Sequence, residues 1–132
     1  MTPRAHPVRV LLIEDDAMNL ELLQAVLEGD GFDVLVATNA TNGIEIARRE
    51  HPDAILMDVQ MPEMDGLQAT RILQTEPDTS TIPVIAITAH VRNDDLARCR
   101  AAGCVLHLAK PIDTRSLGAT VKRIVESTGQ TI

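Results

Sequence analysis

The chain has 132 residues, 45% of them hydrophobic, and a formal net charge of −7. Such a length suits one domain of ordinary size, and the hydrophobic share suits a compact globule and argues against disorder. The acidity works against nucleic acid as a primary partner, because phosphate binding wants a basic face, and it is compatible with an acidic cation site. No apolar stretch approaches the ~20 residues needed to span a bilayer, and the N-terminus lacks the apolar core of a signal peptide. Cys99 and Cys104 match the spacing of neither a redox pair nor a zinc knuckle, so they read as small hydrophobes on or near a helix. A reducing cytoplasm is the expected compartment, and no membrane association is expected. Phe32 is the only aromatic residue, which leaves no stacking platform for single-stranded nucleic acid.

Residues 1–7 are polar and broken by proline, and read as a loose tail. Val8 to Ile13 form an apolar, β-branched run, the first predicted strand, followed by Glu14, Asp15 and Asp16. A helix follows in which Leu20, Leu23 and Leu27 recur at helical spacing, Leu22 and Val26 widen the stripe, and Gly29 and Gly31 stop it. Asp33 to Ala37 give a second strand, and Thr41 to His51 a second helix with Ile44, Ile46 and Ala47, ended by Pro52. Ala54 to Asp58 give the third strand, after which the chain turns through Pro62. The third helix is predicted from Gly66 to Gln74 with Leu67, Thr70, Ile72 and Leu73. A polar loop from Glu76 to Thr81 leads through Pro83 to strand four, Val84–Thr88. Helix four spans Asn93–Ala102 and closes at Gly103, a left-handed cap. Strand five is expected at Val105–Leu108. Asp113 is expected to N-cap a final helix to Ser127, with Leu117, Val121, Ile124 and Val125 inward and Gly118 weakening it.

Five near-continuous apolar strands alternating with five helices imply an α/β fold, a parallel sheet covered on both faces. The polar residues at strand ends then gather on one rim: Glu14 and Asp15 after strand one, Asp58 at the end of strand three, Thr88 at the end of strand four, Lys110 after strand five. Open α/β sheets place their ligand crevice there. Three carboxylates repel one another unless protons or a cation intervene. A hard divalent ion with oxygen ligands answers that need, and Mg²⁺ typically binds one or two carboxylates plus waters.

Ile13-Glu14-Asp15-Asp16, Met57-Asp58-Val59-Gln60-Met61-Pro62, Asp65-Gly66, Ile87-Thr88-Ala89 and Ala109-Lys110-Pro111 fall in one order on the expected strand ends. In this the chain resembles a response-regulator receiver domain of the CheY-like superfamily, the phosphoacceptor module of two-component signalling, over residues 8–126. Both single-domain regulators and receivers of hybrid histidine kinases share this wording. The resemblance, and not periodicity, implies a doubly wound, flavodoxin-like sheet in the order 2-1-3-4-5.

The resemblance further implies that Asp58 accepts a phosphoryl group from a phosphohistidine. Asp15 and Asp58 would ligate Mg²⁺ directly, Glu14 mainly through ordered water, and the backbone carbonyl of Gln60 would complete the protein ligands; Mn²⁺ is expected to substitute. Lys110 would supply a point charge to a phosphoryl oxygen and precede a cis bond to Pro111. Thr88 would offer a hydroxyl to the phosphoryl group, and Gln60 and His90 match positions that tune how fast that group is lost. The main departure is His107, where the family commonly places Tyr or Phe as a ring that moves inward with the threonine; histidine is smaller, polar and titratable near neutrality. It is either a strand-edge surface residue or a switch read through a hydrogen bond. The implied partners are a histidine kinase or histidine phosphotransfer protein, and a downstream protein on the face of helix four, strand five and helix five. With no output domain after residue 126 and residues 127–132 expected as a tail, output is expected through protein contact.

Simpler readings stand beside these. Asp15 and Asp16 could cap the first helix, Asp65-Gly66 suits turn and cap chemistry, Thr88 alone would be an ordinary strand residue, and Lys110 a solvated loop lysine. His6 and His51 read as solvent-facing, and no histidine sits with Cys or Ser in a triad. A haloacid-dehalogenase-like phosphatase also uses a strand-end aspartate, but expects a second one two residues on, where this chain has Gln60. A degenerate, unphosphorylated scaffold typically lacks an acid or the lysine, and all are present. A dinucleotide-binding reading fails because the first strand–helix turn carries Glu-Asp-Asp and no glycines. The chain is therefore read as a phosphoacceptor signalling domain that catalyses only its own phosphorylation and dephosphorylation, and not as an enzyme.

Overall fold

The computed structural model describes residues 7–89 and 92–128. Strands Arg9–Ile13 (β1), Asp33–Ala37 (β2), Ala54–Asp58 (β3), Val84–Thr88 (β4) and Leu106–Ala109 (β5) alternate with helices Ala17–Gly29 (α1), Ala40–Glu50 (α2), Gly66–Thr75 (α3), Asn93–Ala102 (α4) and Leu117–Thr128 (α5). The strands form one five-stranded sheet in the order β2-β1-β3-β4-β5. Every pairing in it is parallel. The flavodoxin-like order that the resemblance implied is the order found.

Alternate residues of the strands feed two cores. Leu11, Ile13, Ile55, Met57, Val84 and Ala86 face α2, α3 and α4. Val10, Leu12, Leu56, Ile85 and Ile87 face α1 and α5. Burial on both faces is why these strands read as unbroken apolar runs. The register levels their ends: Ile13 lies opposite Ala37 and Met57, Asp58 opposite Ile87, and Thr88 opposite Ala109. One rim therefore collects the residues that follow β1, β3, β4 and β5.

Several expectations need correction. Leu22 is 52% exposed, because the buried stripe of α1 is Leu23 and Leu27, and Leu22 sits about 100° around the helix from Leu23. β5 lies one residue later than expected: Val105 is 49% exposed, and its N–H bonds the Val84 carbonyl as a lead-in. β1 begins at Arg9 with Val8 buried just before it. Asp113 does not cap α5; its carboxylate accepts from the Arg115 N–H at 3.0 Å in a turn that precedes the helix. Gly118 has a packing reason, since a Cβ there would run into the Asp30 carboxylate at the end of α1. The inward face of α5 is as expected, with Leu117, Val121 and Val125 buried. Gly103 caps α4 at φ 111. His51 is exposed and closes α2 in the left-handed region at φ 48. His6 lies outside the described residues.

Candidate functional site

β3 delivers Asp58 to the rim with 1% of its surface exposed, and β1 delivers Glu14 with 1%. The next residue, Asp15, is exposed, while Asp16 is the N-cap of α1, accepting from the Met18 and Asn19 N–H groups. Asp16 thus takes the capping role, and Asp15 is left to the rim. One carboxylate oxygen from each of Glu14, Asp15 and Asp58 can be chosen so that all lie within 4.8 Å of one another.

Lys110 enters from the far side of the sheet. Its backbone N–H bonds the Thr88 carbonyl at 3.0 Å, and its bond to Pro111 is cis, as the resemblance implied. The ammonium reaches Asp58 Oδ2 at 3.2 Å and stands 4.0 Å from Glu14 Oε1. Asp58 Oδ1 accepts from the Gln60 N–H at 3.1 Å. The loop after β3 is held close by the Gly66 N–H on the Val59 carbonyl and by a capping box between Asp65 and Gln68 at the start of α3. Asp65-Gly66 is therefore cap chemistry. A Cβ on Gly66 would strike the Asp58 carbonyl and the Val59 Cα, so this loop needs a glycine for close approach.

Electrostatics mark Glu14. Burial, then the neighbouring Asp58 carboxyl, pushes its carboxyl up to about 7, against the pull of the Asp16 N–H and Lys110. Its Oε2 accepts from the Asp16 N–H at 3.1 Å, but the buried Oε1 has no hydrogen-bond partner among the described residues. A buried acceptor without a donor, beside two further carboxylates, fits a hard cation or its water.

Thr88 is 2% exposed at the end of β4. It lines a cleft of about 210 Å³ with Gln60, Asp65, Asp95, Arg98 and Cys99. His107 is half-buried on the edge strand. Its register partner is Ala86, on the α4 face, while Leu106 and Leu108 pack on the opposite core. Gln60 is exposed, and His90 falls outside the described residues. Sequence reasoning missed the walls of a second cleft of about 380 Å³ running from Glu14 and Lys110 between Asn19, Leu22, Ile112 and Thr114. Helical spacing flags only Leu22 of the four, and for the core; only the docking of the β5–α5 loop beside α1 brings them together.

The family model of the response regulator receiver domain matches residues 10–122. The chain belongs to this family. The receiver domain is 35% identical over 116 residues to the polar-differentiation response regulator DivK of Brucella anthropi, covering 88% of this chain and 94% of the relative. It is also similar to the receiver domain of a sensor histidine kinase from Pseudomonas aeruginosa, solved with a magnesium ion coordinated in its active-site cleft: 32% identity, TM-score 0.84, covering 90% of this chain and 98% of that one. A signal receiver domain of a histidine kinase from Syntrophus aciditrophicus gives 32% identity and TM-score 0.85, with 94% of each chain covered. As a receiver domain of a response regulator it is part of two-component signalling. Its acidic cluster is compatible with Mg²⁺. Among the described residues no helix is long and apolar enough to cross a membrane.

Proposed function

We propose that residues 8–126 are a receiver unit in which Asp58 accepts a phosphoryl group from the phosphohistidine of a histidine kinase or phosphotransfer protein. The observation that carries this reading is a carboxylate 1% exposed, held at 3.2 Å from the Lys110 ammonium inside a three-acid cluster. An Asp58 oxygen attacks phosphorus, the P–N bond breaks, and the imidazole leaves with that electron pair. Asp15, Asp58 and the Gln60 carbonyl would hold Mg²⁺ or Mn²⁺, with Glu14 acting through water. When bound, the cation neutralises charge on the transferring phosphoryl oxygens and aligns donor with acceptor.

Lys110 moves its charge from Asp58 to a phosphoryl oxygen, and the Thr88 hydroxyl bonds the group once it is there. That contact exists in one state only, as a two-state switch requires. Gln60 and His90 tune the lifetime, and His107 relays the shift of Thr88 along β5. Output passes to a protein partner at α4, β5 and α5, without nucleic acid or membrane contact, in the cytoplasm. Dephosphorylation of Asp58 is likewise the chain's own reaction.

Incubation with a small phosphodonor and Mg²⁺ tests the reading. The expected product is one added phosphoryl group, acid-stable and base-labile, that is lost in Asp58→Asn. Turnover of exogenous phosphomonoesters would favour the phosphatase class, and no modification at all a scaffold; either result overturns the proposal. For His107, partner affinity is compared with and without phosphorylation in wild type and His107→Phe. Unchanged coupling would show that His107 takes no special part.

A further inference from the structure

α4 ends in a cap that brings both cysteines of the chain together. The Gly103 N–H bonds the Arg100 carbonyl at 3.0 Å, and the Cys104 N–H bonds the Cys99 carbonyl at 3.1 Å. With Gly103 in the left-handed region, these are the two hydrogen bonds of a Schellman motif, whose two flanking positions, here Cys99 and Cys104, frequently meet through their side chains; the Cys104 thiol also lies 4.0 Å from the Thr70 hydroxyl, from which it must turn to reach Cys99. A hydrogen bond between their own peptide groups sets their Cα atoms about 5–6 Å apart. That is the usual span of a disulfide. Both thiols are free and buried in one core cluster.

We propose that Cys99 and Cys104 are a paired dithiol, assembled by the cap of α4, that closes to an intramolecular disulfide with a small disulfide oxidant. One thiolate attacks the oxidant and expels a small thiolate. The second attacks the protein sulfur of the mixed disulfide and expels another. The two protons lost by the cysteines end on the two small thiols, and the two electrons with them.

Burial controls access. It pushes Cys104 up to about 11 and raises Cys99 as well, so both stay protonated while α4 is docked. The docking is light: Cys99 and Ala102 are the buried residues of α4, and its N-terminus carries no side-chain cap bond. The pair therefore reacts when α4 lifts from the core with its capped last turn intact, and the bridge then pins that turn to the segment entering β5. Cys99 also lines the cleft that holds Thr88, so the bridge adds an oxidant input beside the rim.

The test equilibrates the whole chain with oxidised and reduced glutathione, quenches with acid and reads intact mass and a peptide map. Loss of two hydrogens with a Cys99–Cys104 linked peptide is expected, reversed by dithiothreitol. At a fixed glutathione ratio the closed fraction, relative to open, should be at least roughly tenfold higher in the folded chain than in concentrated urea. Cys99→Ser and Cys104→Ser should each stop at one mixed glutathione disulfide. Equal closure in folded and unfolded chain, or only mixed and intermolecular disulfides in wild type, would overturn the proposal. The wild-type comparison stands even if a serine variant fails to fold.

Discussion

Glu14 and Lys110 define the balance of the rim at the scale of single residues. Two buried carboxylates face one ammonium, which sits nearer Asp58 at 3.2 Å than Glu14 at 4.0 Å. Glu14 is therefore left under-compensated, and Glu14→Gln should raise the cation-free melting temperature while weakening Mg²⁺ binding roughly 10–100-fold, as loss of an outer ligand partner does. Calorimetric titration together with thermal melts checks both signs. The pH dependence follows from the same group. Its folded value of about 7 exceeds the unfolded 4.5, so the folded state holds the extra proton between them. Cation-free stability should fall as pH rises through that window, and Mg²⁺ should restore more stability at pH 8 than at pH 5, measured by urea midpoints. What the sequence could not reveal at this scale is which acid pays for burial. Glu14, Asp15 and Asp16 read alike in a row, and only the turn into α1 separates a buried acid, an exposed one and a helix cap.

At the scale of elements, the sheet and helices were legible because burial on both faces leaves β1, β3 and β4 as nearly continuous apolar runs, and because caps such as Asp65 and Gly103 sit where the chain must turn. Periodicity failed where exposure depends on a neighbour. Leu22 and Leu23 are adjacent and identical in chemistry, yet Leu22 is 52% exposed and Leu23 3%. Leu23→Ala should cost about 2–5 kcal/mol in chemical denaturation, whereas Leu22→Ala should stay within about 0.5 kcal/mol. Gly66→Ala should cost about 1–3 kcal/mol, since its Cβ meets the backbone of Asp58 and Val59 and cannot be absorbed by a rotamer change. The same substitution should slow phosphoryl uptake, because the strand that carries Asp58 must shift. Asp113 shows the opposite limit: a capping residue type in a plausible place serves a turn instead, because α5 starts only at Leu117.

For the whole molecule, the order β2-β1-β3-β4-β5 puts β1 and β3 side by side and β4 next to β3, so acids far apart in the chain meet at one rim. Cation binding there should report on the entire fold. Mg²⁺ at a hundred times its Kd should add about 2.7 kcal/mol to unfolding free energy, removable by chelator, and absence of any shift would show that the cluster does not hold the ion. That Asn19, Leu22, Ile112 and Thr114 form one cleft was invisible in the sequence for the same topological reason, since α1 and the segment after β5 become neighbours only when the sheet forms. Both oxygens of Asp58 are already engaged, Oδ1 by the Gln60 N–H and Oδ2 by Lys110. An acyl phosphate formed on that carboxyl must therefore evict one of two tenants. One belongs to the loop after β3 and the other to the loop after β5, so the oxygen that reacts selects which loop is let go first.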